Sequence, residues 1–266
     1  MLAQQLQNYW ISGHPGLYIL SSEEARVDTL LRSVLATATA DPARRALMTH
    51  ADGRQAEPCF VTWSQTRGWC QADGRKFDVP KVKGDTGSPR LAVEALQWFP
   101  EWTIAVLYDL HAYLDDAVLL RRLRETCKLY KGTHGRMMVL VSPRLVLPPE
   151  IKHEFTLVEL PLPTREVLAG VLDEILTSNP RLERPVPEVR VRLLEAAAGT
   201  TTVEAENAFA LACQTHGGFT DAAVATVYQE KAQAVKRSGA MEVLLHTGET
   251  LDDVGGHDLL KSYMLD

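Results

Sequence analysis

Short apolar runs alternate along the chain with segments whose apolar positions recur every three or four residues, and the alternation continues to about residue 163. Five runs read as buried strands: 16–20, 59–64, 102–109, 137–142 and 156–160. Each is too short for a helix, and most are rich in β-branched and aromatic residues. Between them, Val27, Leu30, Leu31, Val34 and Leu35 repeat with helical spacing and predict a helix over 23–35; similar patterns predict helices over 91–99 and 116–131. Strands separated by helices require crossover connections, so the expected fold class is α/β, with a five-stranded parallel sheet covered on both faces. The polar stretch 41–58 reads as a surface excursion, and the Gly-, Lys-, Asp- and Pro-rich stretch 73–89 as a loop.

From Thr164 the strand signal stops. Helices are predicted over 164–176, 187–197, 202–214 and 220–236, punctuated by Gly199 and Gly217-Gly218. The expected organisation is an α/β domain over 1–163, a helical subdomain over 164–239 and a linker over 240–266.

Composition narrows the function classes only at the margins. A length of 266 residues allows a sizeable core, and a net charge of −6 argues against a partner held mainly through phosphates. The N-terminus, Met1-Leu2-Ala3-Gln4-Gln5, lacks the basic and apolar regions of a signal peptide, and no window reaches the eighteen or so apolar residues a membrane span needs. A cytoplasmic location is expected. Cys59, Cys70, Cys127 and Cys213 have no Cys-x-x-Cys spacing, and the scattered histidines form no helical pair, so reduced thiols and no metal site are expected.

Two local patterns carry candidate chemistry. Ser21, Ser22, Glu23 and Glu24 follow the first strand, and Ser21 with Glu24 three residues later reads as a capping box for the helix that begins there. On 116–131, Arg121, Arg124, Lys128 and Lys131 share one side, with Arg122 beside them, opposite Leu119, Leu120, Leu123, Cys127 and Tyr130. That basic side is either a solvated face or a contact for an acidic or phosphate-bearing partner; Arg67, Trp69 and Arg75-Lys76 would extend it if exposed, while Trp69 equally suits a core.

The strand ending in Asp109 is similar to a Walker B strand, 137–142 to a sensor 1 strand, and the stretch from Leu147-Pro148-Pro149-Glu150 to Pro163-Thr164-Arg165-Glu166 to the segment entering an AAA lid. Thr201-Thr202-Val203-Glu204-Ala205-Glu206-Asn207-Ala208-Phe209 and Lys236-Arg237-Ser238-Gly239 are the most specific pieces. Asp253, Gly255 and Gly256, within Leu251-Asp252-Asp253-Val254-Gly255-Gly256, resemble the diglycine lead-in to an AAA+ module. Together they resemble the degenerate N-terminal AAA-like half of a family of bacterial, cyanobacterial and plastid-encoded AAA+ ATPases; the insert 41–57 departs from it. The resemblance implies a central first strand beside 137–142, and a helical lid.

The residues do not supply the expected nucleotide chemistry. A phosphate loop needs Gly-x-x-x-x-Gly-Lys-Ser/Thr, and this chain has Ser21-Ser22-Glu23-Glu24-Ala25-Arg26-Val27 instead. Leu110 follows Asp109 where a catalytic Glu would stand, leaving Asp109 as a helix cap, an ion-pair partner or a lone magnesium ligand; Ser142 is a sensor-like polar residue or a turn former before Pro143. The degenerate nucleotide-site positions are thus Ser21, Ser22, Glu23, Glu24, Asp109 and Ser142, with no catalytic residue and no cofactor expected. ATP and Mg would belong to a following AAA+ module. The expected role is a catalytically inactive regulatory or scaffolding half of an AAA+ ATPase, with an AAA+ module, a protein partner or further copies of itself as partners. The alternatives are a standalone adaptor and a nucleic-acid-binding protein.

Overall fold

A computed structural model describes residues 2–50, 52–79, 81–82, 84–131 and 135–238. The chain divides into two compact units, Met1–Pro161 and a second starting at Leu162. Asp253, Gly255 and Gly256 lie outside the described residues.

The first unit contains α1 (Leu2–Ile11), β1 (Gly16–Leu20), α2 (Glu24–Ala40), α3 (Pro42–Leu47), β2 (Cys59–Ser64), β3 (Gly68–Gln71), α4 (Pro89–Ala95), β4 (Thr103–Tyr108), α5 (Ala117–Lys131), β5 (Met137–Ser142) and β6 (Thr156–Glu159). Its sheet has the order β3-β2-β4-β5-β1-β6, parallel throughout except for β3, which pairs antiparallel with β2. The sheet therefore has six strands rather than the expected five. The extra strand comes from a tight hairpin: Arg67 N–H donates to the Ser64 carbonyl at 3.2 Å, and Gly68 turns the chain back with φ 66°. β1 pairs with β5, as the family resemblance implies, but it stands next to the edge strand β6 rather than at the centre of the sheet.

Alternation along each strand sends successive side chains to opposite faces. Val61, Trp63, Ala105, Leu107, Met138 and Leu140 face α4 and α5, whose Val93, Leu119, Leu123, Cys127 and Tyr130 complete that core. Leu17, Ile19, Phe60, Ile104, Val106, Val139 and Val141 face the other way, toward Leu6 and Trp10 of α1 and Val27, Leu31 and Val34 of α2. Each large aliphatic side chain so buried contributes about 2 kcal/mol. α1 was not anticipated, although Leu6 and Trp10 are spaced one helical turn apart and are both fully buried.

The insert runs over the surface as its polarity suggests, but it is ordered by α3 and anchored by two buried residues. Asp41 caps α3 by accepting from Ala43 N–H at 3.0 Å and from Arg44 N–H at 3.4 Å, with Pro42 at the first helical position. A bridge between Thr49 and Gln55 follows, and Met48 and Ala56 are fully buried in the α1–α2 core.

The second unit consists of α6 (Arg165–Ser178), α7 (Pro187–Ala197), α8 (Thr202–His216) and α9 (Asp221–Ser238). Leu168, Leu172, Leu193, Phe209, Phe219 and Val227 form its core. Thr201 and Glu204 make a full capping box at the start of α8, and Gly217 closes the helix in the left-handed conformation at φ 68°. Among the described residues no helix is long and apolar enough to cross a membrane.

Candidate functional site

The carboxyl ends of the parallel strands β1, β4 and β5 lie side by side, and the residues after them occupy the edge where open α/β sheets place their ligands. Ser21 N–H donates to the Ser142 carbonyl at 2.9 Å, and Asp109 N–H donates to the Val141 carbonyl at 3.0 Å. These two bonds gather Ser21, Asp109 and Ser142 at one edge. Glu23 and Glu24 join them because α2 starts directly after β1.

The turn after β1 does not form the expected capping box. The Ser21 hydroxyl accepts from Glu23 N–H at 3.0 Å, and Glu23, not Ser21, takes the N-cap position without a side-chain cap bond. The helix begins too late for Ser21 and Glu24 to meet in cap geometry, since a capping box spans the N-cap and the third helical residue. Glu23 is 6% exposed and accepts from Arg26 at 2.7 Å. Arg26 also donates to the Pro161 carbonyl, which ties the start of α2 to the segment after β6. Ser22 is exposed beside this buried pair.

Asp109 sits in the left-handed conformation at φ 53°, a conformation that aspartate tolerates better than most side chains. Its carboxylate is 60% exposed, and its Oδ1 lies 3.6 Å from His111 Nδ1, farther than a hydrogen bond. Leu110 behind it is fully buried. Ser142 is buried, and its Oγ has no hydrogen-bond partner among the described residues. Tyr108, the residue before Asp109, donates its hydroxyl to Asp28 on α2. Burial, reinforced by that carboxylate, pushes the Tyr108 hydroxyl far above the usual tyrosine range. Glu24 is also raised, first by burial and then by the negative charges of Asp109 and Asp28, with Arg67 opposing. Sequence reading missed Asp28, Arg67 and Tyr108 as members of this edge. Asp28 stands one helical turn after Glu24, which is the signal that would have placed both on one side of α2.

The basic face of α5 is largely neutralised from within. Arg121 pairs with Glu125 at 2.7 Å, Arg122 with Glu94 at 3.7 Å, and Lys131 with Glu154 at 2.9 Å. Lys128 is exposed, and Arg124 is partly buried with an Nε that has no partner among the described residues. Trp69 does not extend this face: it is fully buried against Phe99 and donates to the Ala92 carbonyl at 3.2 Å. Arg75 is held by Asp73 at 2.5 Å.

The model of the SpoVK-like AAA ATPase N-terminal domain matches residues 2–160, and that of the second domain of the same ATPases matches residues 166–238. The chain belongs to the SpoVK-like AAA ATPase family. Over 257 residues it is 22% identical to an uncharacterized AAA domain-containing protein ycf46 of Guillardia theta, covering 94% of this chain and 45% of that protein. A ycf46 protein of Pyropia yezoensis is 21% identical over 203 residues, covering 75% of this chain and 40% of that protein. The chain therefore spans less than half the length of these curated relatives. Among solved structures, a FIGL-1 AAA domain in complex with ADP superposes with a TM-score of 0.51 at 11% identity, covering 95% of this chain and 77% of that one, and so shares the AAA fold.

Proposed function

We propose that this chain is a regulatory or scaffolding half of an AAA+ ATPase in which the inherited nucleotide site has been given over to structural and protein-contact roles. The observation that carries this reading is the turn after β1. A bound phosphate would need glycine N–H groups and a lysine there. In their place Glu23 is buried against Arg26 at 2.7 Å, and Glu24 stands in the first turn of α2. These carboxylates complement the helix dipole as a phosphate would and repel an anionic ligand. Asp109 without an adjoining acid, and Ser142 with its hydroxyl buried, supply no water-activating pair.

The remaining assignments belong to the same proposal. ATP and Mg belong to an AAA+ module acting in cis, consistent with relatives more than twice as long as the matched region. The chain works in the cytoplasm, on a protein partner or with further copies of itself, and takes neither cofactor nor metal. Internal pairing of Arg121 and Lys131 disfavours nucleic acid as the partner of α5.

Isothermal titration of the chain with ATP and Mg is expected to give no specific heat. Micromolar binding abolished by Asp109→Ala would overturn the proposal and make this a divergent working site.

A further inference from the structure

We propose that the groove between α6 and α8 receives an amphipathic helix of a protein partner, one that carries lysine or arginine beside its apolar face. The groove has a volume of about 360 Å³ and lies wholly within the second unit. The proposal rests on the reading that this chain works through a protein partner, and it names the chemistry of that partner.

The walls are two helix stripes. Val171, Glu174, Ile175 and Ser178 recur on α6 at the spacing that places residues on one side of a helix. Glu206, Ala210, Cys213 and Gln214 do the same on α8, and Leu182 adds to the lining from the connection after α6. Val171, Ile175 and Leu182 are only partly covered by the core of the second unit, and Ala210 is exposed. The same stripes continue through Val167 and Val203, which are 41% and 55% exposed. α7 packs against α6 and α9, and α9 against α7 and α8, so among the described residues no helix covers the seam between α6 and α8. From Val171 to Ser178 the α6 wall runs about 10 Å, room for about two turns of a third helix. An extended peptide would lay its backbone N–H and C=O groups against this apolar floor without partners, whereas a helix bonds its own.

Charge decides which helix fits. Glu174 on one wall and Glu206 on the other are exposed, and neither has an ion-pair partner among the described residues. The α7 cations are engaged elsewhere, Arg190 with Asp173 at 2.8 Å and Arg192 with Asp221. Arg181 stands beside Leu182 but does not line the groove. A helix with cations flanking its apolar stripe meets a glutamate on each side, while an acidic helix is repelled from both. The end of this chain is of the second kind: residues 240–266 carry Glu242, Glu249, Asp252, Asp253, Asp258 and Asp266 against Lys261. The occupant is therefore a basic helix from another protein.

The probe is a fluorescein-labelled helical peptide with leucine on one face and lysine on the other, titrated into the full chain by anisotropy beside a scrambled peptide of the same composition. Saturable binding of the helical peptide alone is the expected result. Ala210→Gln, which obstructs the floor and leaves every charge in place, should weaken it about tenfold, with circular dichroism confirming unchanged helix content. Glu174→Gln/Glu206→Gln should weaken it about fivefold, the effect of two partly exposed ion pairs, whereas Glu188→Gln/Glu195→Gln, which removes the same charge from α7, should leave it unchanged. Equal binding of both peptides, an equal loss in both charge variants, or full affinity in Ala210→Gln would overturn the proposal by showing diffuse attraction to an acidic surface. A dimer of the chain that the peptide dissociates would give the groove to a second copy, and competition by a peptide of residues 240–266 would give it to the chain's own end; either result overturns the proposal. A parallel titration with ATP and Mg separates the two readings: ATP binding with peptide binding retained sinks the reading of the nucleotide edge alone, and absence of both ligands sinks this proposal alone.

Discussion

Glu23 and Arg26 form an ion pair at 2.7 Å in which the carboxylate side chain is 7% exposed and the guanidinium 18%. The pair occupies the turn between β1 and α2, and it has a structural use there. Arg26 also reaches the Pro161 carbonyl, so the start of α2 is fastened to the end of the first unit through a single side chain.

Removing the carboxylate leaves a mostly buried guanidinium with the Pro161 carbonyl as its partner among the described residues. Glu23→Ala is expected to lower unfolding free energy by about 2 kcal/mol. Glu23→Gln, which keeps an acceptor oxygen, should cost less than half of that. Urea unfolding followed by circular dichroism measures both, and equal losses for the two variants would show that shape rather than charge matters.

Stability should fall on the alkaline side. Burial, and then the bond to Asp28, raise Tyr108, and burial raises Tyr130. A group whose folded pKa is raised keeps its proton longer in the native state. Its contribution is complete below the unfolded tyrosine pKa of about 10 and is lost as pH rises through the folded value. Urea midpoints should therefore hold steady up to about pH 9 and drop above about pH 10, more steeply than in Tyr108→Phe or Tyr130→Phe. Identical slopes in the wild type and both variants would exclude these hydroxyls as the source.

Gly135 has φ +62°, and a Cβ built on it would lie 2.3 Å from the Trp102 ring. Its carbonyl accepts from the Trp10 indole at 2.5 Å. Gly135→Ala combines left-handed strain with a steric clash and should cost about 2–4 kcal/mol. Pairing it with Trp102→Leu should recover part of the loss in thermal unfolding, since the smaller side chain removes the clash but not the strain.

Cysteine reactivity should separate by burial. Cys127 is fully buried, and burial, with a smaller contribution from Glu154, pushes its thiol up to about 12. Cys59 is only partly buried, and its thiol is raised by burial to a lesser extent. Near pH 8 an aromatic disulfide reagent should label Cys59 first and Cys127 at the rate of unfolding, because the thiolate is the reacting species. Mass mapping of labelled peptides checks the order; early labelling of Cys127 would mean that α5 opens locally.

The periodic elements were legible because their apolar spacing is local. The runs at Ile104 and Met138 and the repeats from Val27 to Leu35 identify strands and helices without knowledge of what they pack against. The parallel order followed from the alternation itself. What escaped reading depends on partners distant along the chain. β3 is only four residues long and becomes a strand by pairing with β2, and the insert holding Met48 looks polar until its few apolar residues find the α1–α2 core. Trp69 could not be assigned to core or surface from its neighbours; the Ala92 carbonyl and the Phe99 ring settle its place.

The same division runs through the candidate site. The sequence determined by itself that a Gly-x-x-x-x-Gly-Lys loop does not follow β1, that two adjacent glutamates stand there, and that Asp109 is followed by leucine. Only the tertiary structure decided what these residues do. α2 starts at Glu24 with Glu23 at the N-cap, which leaves Ser21 outside cap position, and Arg26 bonds both Glu23 and the Pro161 carbonyl. The cations of α5 look free in one dimension because Glu94 and Glu154 lie far away in sequence, yet they pair with Arg122 and Lys131. Glu24 likewise feels the charge of Asp109 only because α2 and the segment after β4 meet at one sheet edge, since Coulomb interactions depend on distance in space and are silent about separation along the chain.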